Sequence, residues 1–94
     1  MSKIISGKIK NIILKENKMF IEFETNEIYY SEIIKGSVTC DIFNEQNKIV
    51  PLHYLDNGDL IKIKILENKI KKIYINSKYE FISDSDSPED CFFE

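Results

Sequence analysis

Leu60-Ile61-Lys62-Ile63-Lys64-Ile65 decides the fold class of this chain, because isoleucine and lysine alternate strictly from Ile61 onward. A period of two is the pattern of a β-strand that buries one of its faces. Glu67-Asn68-Lys69 follows as a short turn, and residues 70–75 form the returning apolar segment. The sequence therefore predicts a β-hairpin with isoleucines on one face and lysines on the other.

The rest of the chain also favours strands, because isoleucine, tyrosine and phenylalanine are abundant and alanine is absent. Residues 48–55 include Pro51 and are predicted to hold a short strand or a helical turn. Gly7, inside the first predicted strand, indicates a bulge or a sharp bend. The other extended segments are predicted at residues 4–14, 19–24, 27–34 and 37–43. Five to seven short strands separated by turns predict a small antiparallel all-β barrel.

Two segments resemble the OB-fold family. Asp56-Asn57-Gly58-Asp59 leads into the alternating strand and its hairpin partner, as a Gly-Asp turn does in that family. Residues 6–12, which run into a second strand, resemble the first OB hairpin. The resemblance implies an OB-like barrel with a groove for single-stranded nucleic acid. An SH3-like barrel is the alternative, since it can have the same Gly-Asp entry.

The charge balance changes at Ser83. Residues 1–82 carry 13 lysines and 11 acidic residues, whereas residues 83–94 carry five acidic residues and no base. A segment with so few apolar residues buries too little surface to order itself. We therefore predict a β-barrel domain at residues 1–82 and a flexible acidic tail at residues 83–94.

The tail resembles the acidic C-terminal tips of single-stranded-DNA-binding proteins, which end in an aromatic residue. The resemblance implies that the tail recruits a partner protein and competes with nucleic acid for the binding groove. The chain departs from that pattern because Glu94 follows the aromatic pair. The alternative is that the pair packs on the barrel and covers an edge. The residues that match the family are Asp84, Asp86, Glu89, Asp90, Phe92 and Phe93.

Outward lysines and aromatic side chains are the candidates for binding single-stranded DNA or RNA. Lysines attract phosphates, and aromatic rings stack on bases. The alternative is that the lysines are simply solvated and protect strand edges from aggregation. Phe20 also shares its face with Glu22 and Glu24, which repel phosphate. The candidate residues are Lys8, Lys10, Phe20, Tyr29, Tyr30, Lys62, Lys64, Lys72 and Tyr74.

Catalysis is disfavoured, and no cofactor or metal ion is expected. His53 is the only histidine, and no neighbouring residue forms a catalytic pair with it. Asp56 and Asp59 are explained by hydrogen bonding within their turn. Cys40 is expected in the core, and two cysteines make neither a disulfide framework nor a zinc site. No apolar run is long enough to span a bilayer, and no secretory signal is present, so we expect a cytoplasmic protein without membrane contact.

Two functions follow from these patterns. The first is sequence-tolerant binding of single-stranded nucleic acid, with the acidic tail modulating binding or recruiting a protein partner. The second is a non-catalytic protein-interaction or assembly module built on a small β-barrel. Nucleic-acid binders of this size often assemble into homo-oligomers. Clustering of the outward lysines with Tyr74 favours the first function. An apolar outward patch that includes Ile12, Leu14 or Ile70 favours the second.

Overall fold

The structure, a computed structural model, describes residues 2–78 and confirms the all-β class over that range. The predicted segment at residues 37–43 is in fact two short strands, and residues 48–55 contain a 3₁₀ turn at Leu52–Tyr54. The predicted boundary between residues 82 and 83 lies outside the described residues. The strands are β1 (Lys3–Lys15), β2 (Lys18–Phe23), β3 (Ile28–Ile34), β4 (Ser37–Val38), β5 (Asp41–Phe43), β6 (Leu60–Leu66) and β7 (Lys69–Ser77).

All seven strands belong to one sheet with the order β4-β3-β2-β1-β6-β7-β5. β3 also pairs in parallel with the start of β7, at Tyr30 and Lys69, which closes a ring through β1, β2, β3, β7 and β6. The backbone N–H of Tyr30 donates to the carbonyl of Asn68 across this closure, at 3.2 Å. Further along β7, the short strand β5 takes the same edge in parallel register.

β1 is 13 residues long, which is enough to pair with two neighbouring strands. Its first part pairs with β6 and its second part with β2, and the register shifts between Ile9 and Asn11. Gly7 therefore lies ahead of the irregularity rather than in it. A Cβ on Gly7 would lie 3.0 Å from the buried ring of Phe23, so a larger residue there would require that ring to shift.

The core is formed mainly by the inward faces of the ring strands, with Ile42 of β5 added to them. The β6–β7 hairpin is confirmed, with its isoleucines buried and its lysines facing outward. Glu67 and Asn68 connect the two strands with positive φ angles of 54° and 68°, as a two-residue turn of type I′ requires. The largest fully buried apolar side chains are Phe23, Ile9, Met19, Ile21, Ile42, Ile61, Ile63, Ile70 and Ile73.

A buried ionic contact ties the end of β7 to the turn before β6. The carboxylate of Asp59 is 0% exposed and accepts hydrogen bonds from the Asp56 backbone N–H at 2.9 Å and from Lys78 Nζ at 2.8 Å. The same ammonium donates to Asp56 Oδ2 at 3.0 Å and to the carbonyl of Tyr54. The predicted role of Asp59 within its turn is confirmed, and Lys78, just after β7, adds a contact at the open end of the hairpin.

No helix within residues 2–78 is long and apolar enough to cross a membrane.

Candidate nucleic-acid interface

Three lysines and two aromatic residues share the outer face of β5, β6 and β7. Cross-strand pairing places Lys62 beside Tyr74 and Lys64 beside Lys72. On the other side of β7, Phe43 lies beside Tyr74. We call the surface formed by Lys62, Lys64, Lys72, Tyr74 and Phe43 the lysine–aromatic face.

The two rings of this face are stacked on each other. The ring centroids of Phe43 and Tyr74 are 5.2 Å apart, and the ring planes differ by 13°. Lys72 Nζ lies 6.0 Å from the centroid of the Phe43 ring, within the range of a cation–π contact. Both rings are partly exposed, so the pair offers an outward π surface beside a positive charge.

The lysines of this face are not neutralised by ion pairs within residues 2–78. Within residues 2–78, none of Lys62, Lys64 and Lys72 forms an ion pair with another residue of that range. An acidic residue, Asp41, is placed opposite Lys72 in the β5–β7 register. Lys8 extends the positive surface, because it faces outward on β1 opposite Leu60 of β6. The face is therefore suited to bind an anionic polymer.

The second predicted aromatic group lies on the outer face of β2 and β3. The rings of Phe20 and Tyr30 are 6.3 Å apart and inclined at 41°, and Lys18 Nζ lies 5.5 Å from the Tyr30 ring. Glutamates share this face, as the sequence indicated. Lysines offset the charge of two of these glutamates. Lys10 Nζ lies 3.8 Å from Glu22 Oε2, and Lys69 Nζ lies 3.3 Å from Glu32 Oε1.

The structure thus divides the candidate residues between two surfaces. Lys62, Lys64, Lys72 and Tyr74 lie together on the lysine–aromatic face, with Lys8 beside it, whereas Lys10, Phe20 and Tyr30 lie at the β2–β3 face. Tyr29 is on neither surface. It points inward, is 8% exposed and packs against Phe23 at a ring distance of 5.9 Å, so it is not available to a base.

The sequence analysis missed Phe43 as a member of the interface. Its neighbour Ile42 is buried and points inward, so alternation alone places Phe43 outward on β5. The partner strand β7 is far away in sequence, and the parallel pairing that brings Phe43 to Tyr74 has no local pattern. The six candidate residues of the acidic tail lie outside the described residues.

Residues 2–78 also form an apolar groove. It has a volume of about 880 Å³ and lies between the β3–β4 hairpin and the segment of residues 49–57. Two side chains on its wall are large and exposed, Leu14 at 60% and Ile49 at 68%. Other apolar side chains that line it are Ile12, Ile33, Val38 and Leu52.

Cys40 borders the groove, but its side chain is buried, and burial raises the pKa of its thiol. A thiol with a raised pKa is a poor nucleophile at neutral pH. Within residues 2–78, no three His, Cys, Asp or Glu side chains are grouped to hold a metal ion.

Comparison with protein-family models, curated proteins and solved structures finds no match to this chain.

Proposed function

We propose that this protein binds single-stranded nucleic acid through the lysine–aromatic face. The observation that carries the proposal is the group of three lysines without ion pairs in residues 2–78 around the stacked rings of Phe43 and Tyr74. Lysines track the phosphate backbone, and exposed rings stack on bases of any sequence. Both contacts are insensitive to sequence, so binding is expected to be sequence-tolerant.

The topology supports an OB-like barrel as the scaffold of this function. β1, β2 and β3 follow one another as a meander, and β6 returns after a long connection to pair with β1. The resulting spatial order β6-β1-β2-β3 is a Greek key. β7 then closes the ring as its fifth strand. A five-stranded, partly open Greek-key barrel is the description of the OB-fold.

The proposed site differs from the usual OB-fold position. OB-folds bind oligonucleotides on the face of their second and third strands and with adjoining loops. In this chain the β2–β3 face carries Glu22 and Glu32, which are paired with Lys10 and Lys69. The turns after β1 and β6 have two residues each, Glu16-Asn17 and Glu67-Asn68, too short to clamp a strand. The charge distribution therefore favours β5, β6 and β7.

The test is fluorescence anisotropy with labelled oligo-dT and oligo-U over a range of salt concentrations. The variant Lys62→Gln/Lys64→Gln should bind more weakly, and its slope of log K against log salt should be about 1.4 shallower, at about 0.7 per lost phosphate contact. The matched control is Lys10→Gln/Lys69→Gln, which removes the same charge from the β2–β3 face. Equal losses in both variants, or no binding by the unaltered protein at low salt, would overturn the proposal.

The aromatic pair is tested separately from the charges. Tyr74→Leu keeps the net charge and an apolar side chain but removes the ring that stacks on Phe43. Loss of one stacked base should weaken oligonucleotide binding by about 1–3 kcal/mol while the salt slope stays the same. Phe20→Leu on the β2–β3 face is the control and should leave binding unchanged.

The protein-interaction function has one observation in its favour, the exposed Leu14 on the wall of the apolar groove. Of the other two residues of the expected apolar patch, Ile12 also lines the groove and Ile70 does not. Ile70 is 1% exposed, and Ile12 is partly buried against the core. The lysines and Tyr74 do cluster, so the nucleic-acid function is the better supported of the two.

A further inference from the structure

The apolar groove leaves large apolar side chains exposed to solvent. Leu14 and Ile49 expose most of their side chains on its wall, next to partly buried Ile12 and Val50. A volume of about 880 Å³ falls in the range of roughly 300–1,000 Å³ that is typical of ligand-holding pockets. A concavity with exposed apolar side chains on its wall is a candidate docking site.

The described chain ends beside this groove. The ammonium of Lys78 donates hydrogen bonds to the carboxylates of Asp56 and Asp59 and to the carbonyl of Tyr54. Asp56 itself lines the groove, together with Asn57 and Leu55. The backbone that follows Lys78 therefore starts within one lysine side chain of the groove wall.

The next four residues are Tyr79-Glu80-Phe81-Ile82, which place three large apolar side chains directly after this anchor. Four extended residues span up to about 14 Å, enough to reach along the groove from its rim. We infer that residues 79–82 dock in the apolar groove of their own chain. The inference concerns a different surface from the nucleic-acid proposal and does not depend on it.

Residues 79–82 differ in charge from the acidic residues 83–94 that follow them. The groove lining contains Asp41 and Asp56 and no lysine, and Asp56 is already paired with Lys78. Residues 83–94 carry five acidic residues and no base, and the groove lining has no lysine to attract them. Residues 79–82 carry only Glu80, which leaves Tyr79, Phe81 and Ile82 as the apolar anchors. Tethering to Lys78 also gives these anchors a high effective concentration at the groove.

The test uses the full chain and methyl NMR of its leucines and isoleucines. Phe81→Leu keeps an apolar side chain but removes the ring, so the methyl resonances of Leu14 and Ile49 should shift. The methyl resonances of Ile4 and Ile28, which are exposed outside the groove, should stay in place. Phe92→Leu is the matched control in the acidic segment and should shift none of these signals.

A second readout is binding of the apolar dye ANS. Phe81→Asn/Ile82→Asn should raise its fluorescence several-fold over that of the unaltered protein, and Phe92→Asn/Phe93→Asn should not. The inference is overturned if Phe81→Leu leaves the groove methyls in place, or if Phe92→Leu shifts them instead. It is also overturned if the shifts depend on protein concentration, because a second copy would then be the occupant.

Discussion

The contact between Lys78 and Asp59 is the residue-level feature that fixes the end of the described hairpin. Burial alone would lower the pKa of Lys78, but hydrogen bonds to Asp59 and Asp56 and their negative charges outweigh burial and raise the pKa. The charged ammonium is thus the form that the folded state favours. Its contribution to stability is complete below the pKa of an unfolded lysine and is lost as the pH rises through the raised folded value.

Replacing this lysine should destabilise the fold in a pH-dependent way. Lys78→Met leaves the buried carboxylate of Asp59 without its ammonium and should lower the free energy of unfolding at pH 7 by about 1–3 kcal/mol. The difference from the unaltered protein should stay constant up to about pH 10, near the pKa of an unfolded lysine, and shrink above it. Urea unfolding of both proteins at neutral and alkaline pH measures the difference. Lys10→Met, at an exposed pair, is the control and should have little effect. A difference that persisted unchanged well above that pH would contradict the role of the charge.

At the scale of elements, the turn between β6 and β7 also supports the closure of the ring. Asn68 forms the turn with Glu67 and accepts the backbone hydrogen bond from Tyr30 that joins β3 to β7. Glu67 has a positive φ of 54°, a region that is unfavourable for a residue with a long side chain. The turn therefore holds strain that a better turn sequence would remove.

Glu67→Asn/Asn68→Gly, which supplies the preferred type I′ sequence, should stabilise the protein by about 1 kcal/mol. Chemical denaturation should show a higher midpoint with an unchanged slope. The control is Asn76→Gly, the same kind of change within extended β7, which should destabilise by about 0.5–1 kcal/mol. A lower midpoint for the turn variant would show that the side chain of Glu67 or Asn68 is needed for more than turn formation.

The elements that could be predicted from the sequence are those with local patterns. Alternation in residues 60–65 sets the inward and outward faces of β6, and polar residues mark the turn that follows. The parallel pairings of β3 and β5 with β7 could not be predicted, because they join segments that are distant in sequence. The same reason limits prediction of the candidate interface. Lys62, Lys64 and Tyr74 lie on one hairpin and were predicted from the sequence, whereas Phe43 lies on β5, which is distant in sequence, and was not.

At the scale of the whole molecule, opposite charges are separated along the chain. Residues 1–82 have a formal net charge of +2, and residues 83–94 have −5. A polyanion that approaches the lysine–aromatic face is therefore attracted by the lysines and repelled by the acidic segment. Both forces weaken as salt is added, because exposed charges are screened beyond about 8 Å at physiological ionic strength.

Neutralising the acidic segment should tighten binding of oligonucleotides at low salt. Asp84→Asn/Asp86→Asn/Glu89→Gln/Asp90→Asn changes the net charge from −3 to +1. The gain in affinity, measured by anisotropy with oligo-dT, should disappear as the salt concentration rises. The matched control changes the net charge equally on the strand domain, with Gln at the exposed positions Glu16, Glu24, Glu45 and Glu67. If the control tightened binding as much, net charge alone would explain the effect and residues 83–94 would have no separate role. A gain confined to the tail variant would mean that the acidic segment competes with nucleic acid for the lysines of the face.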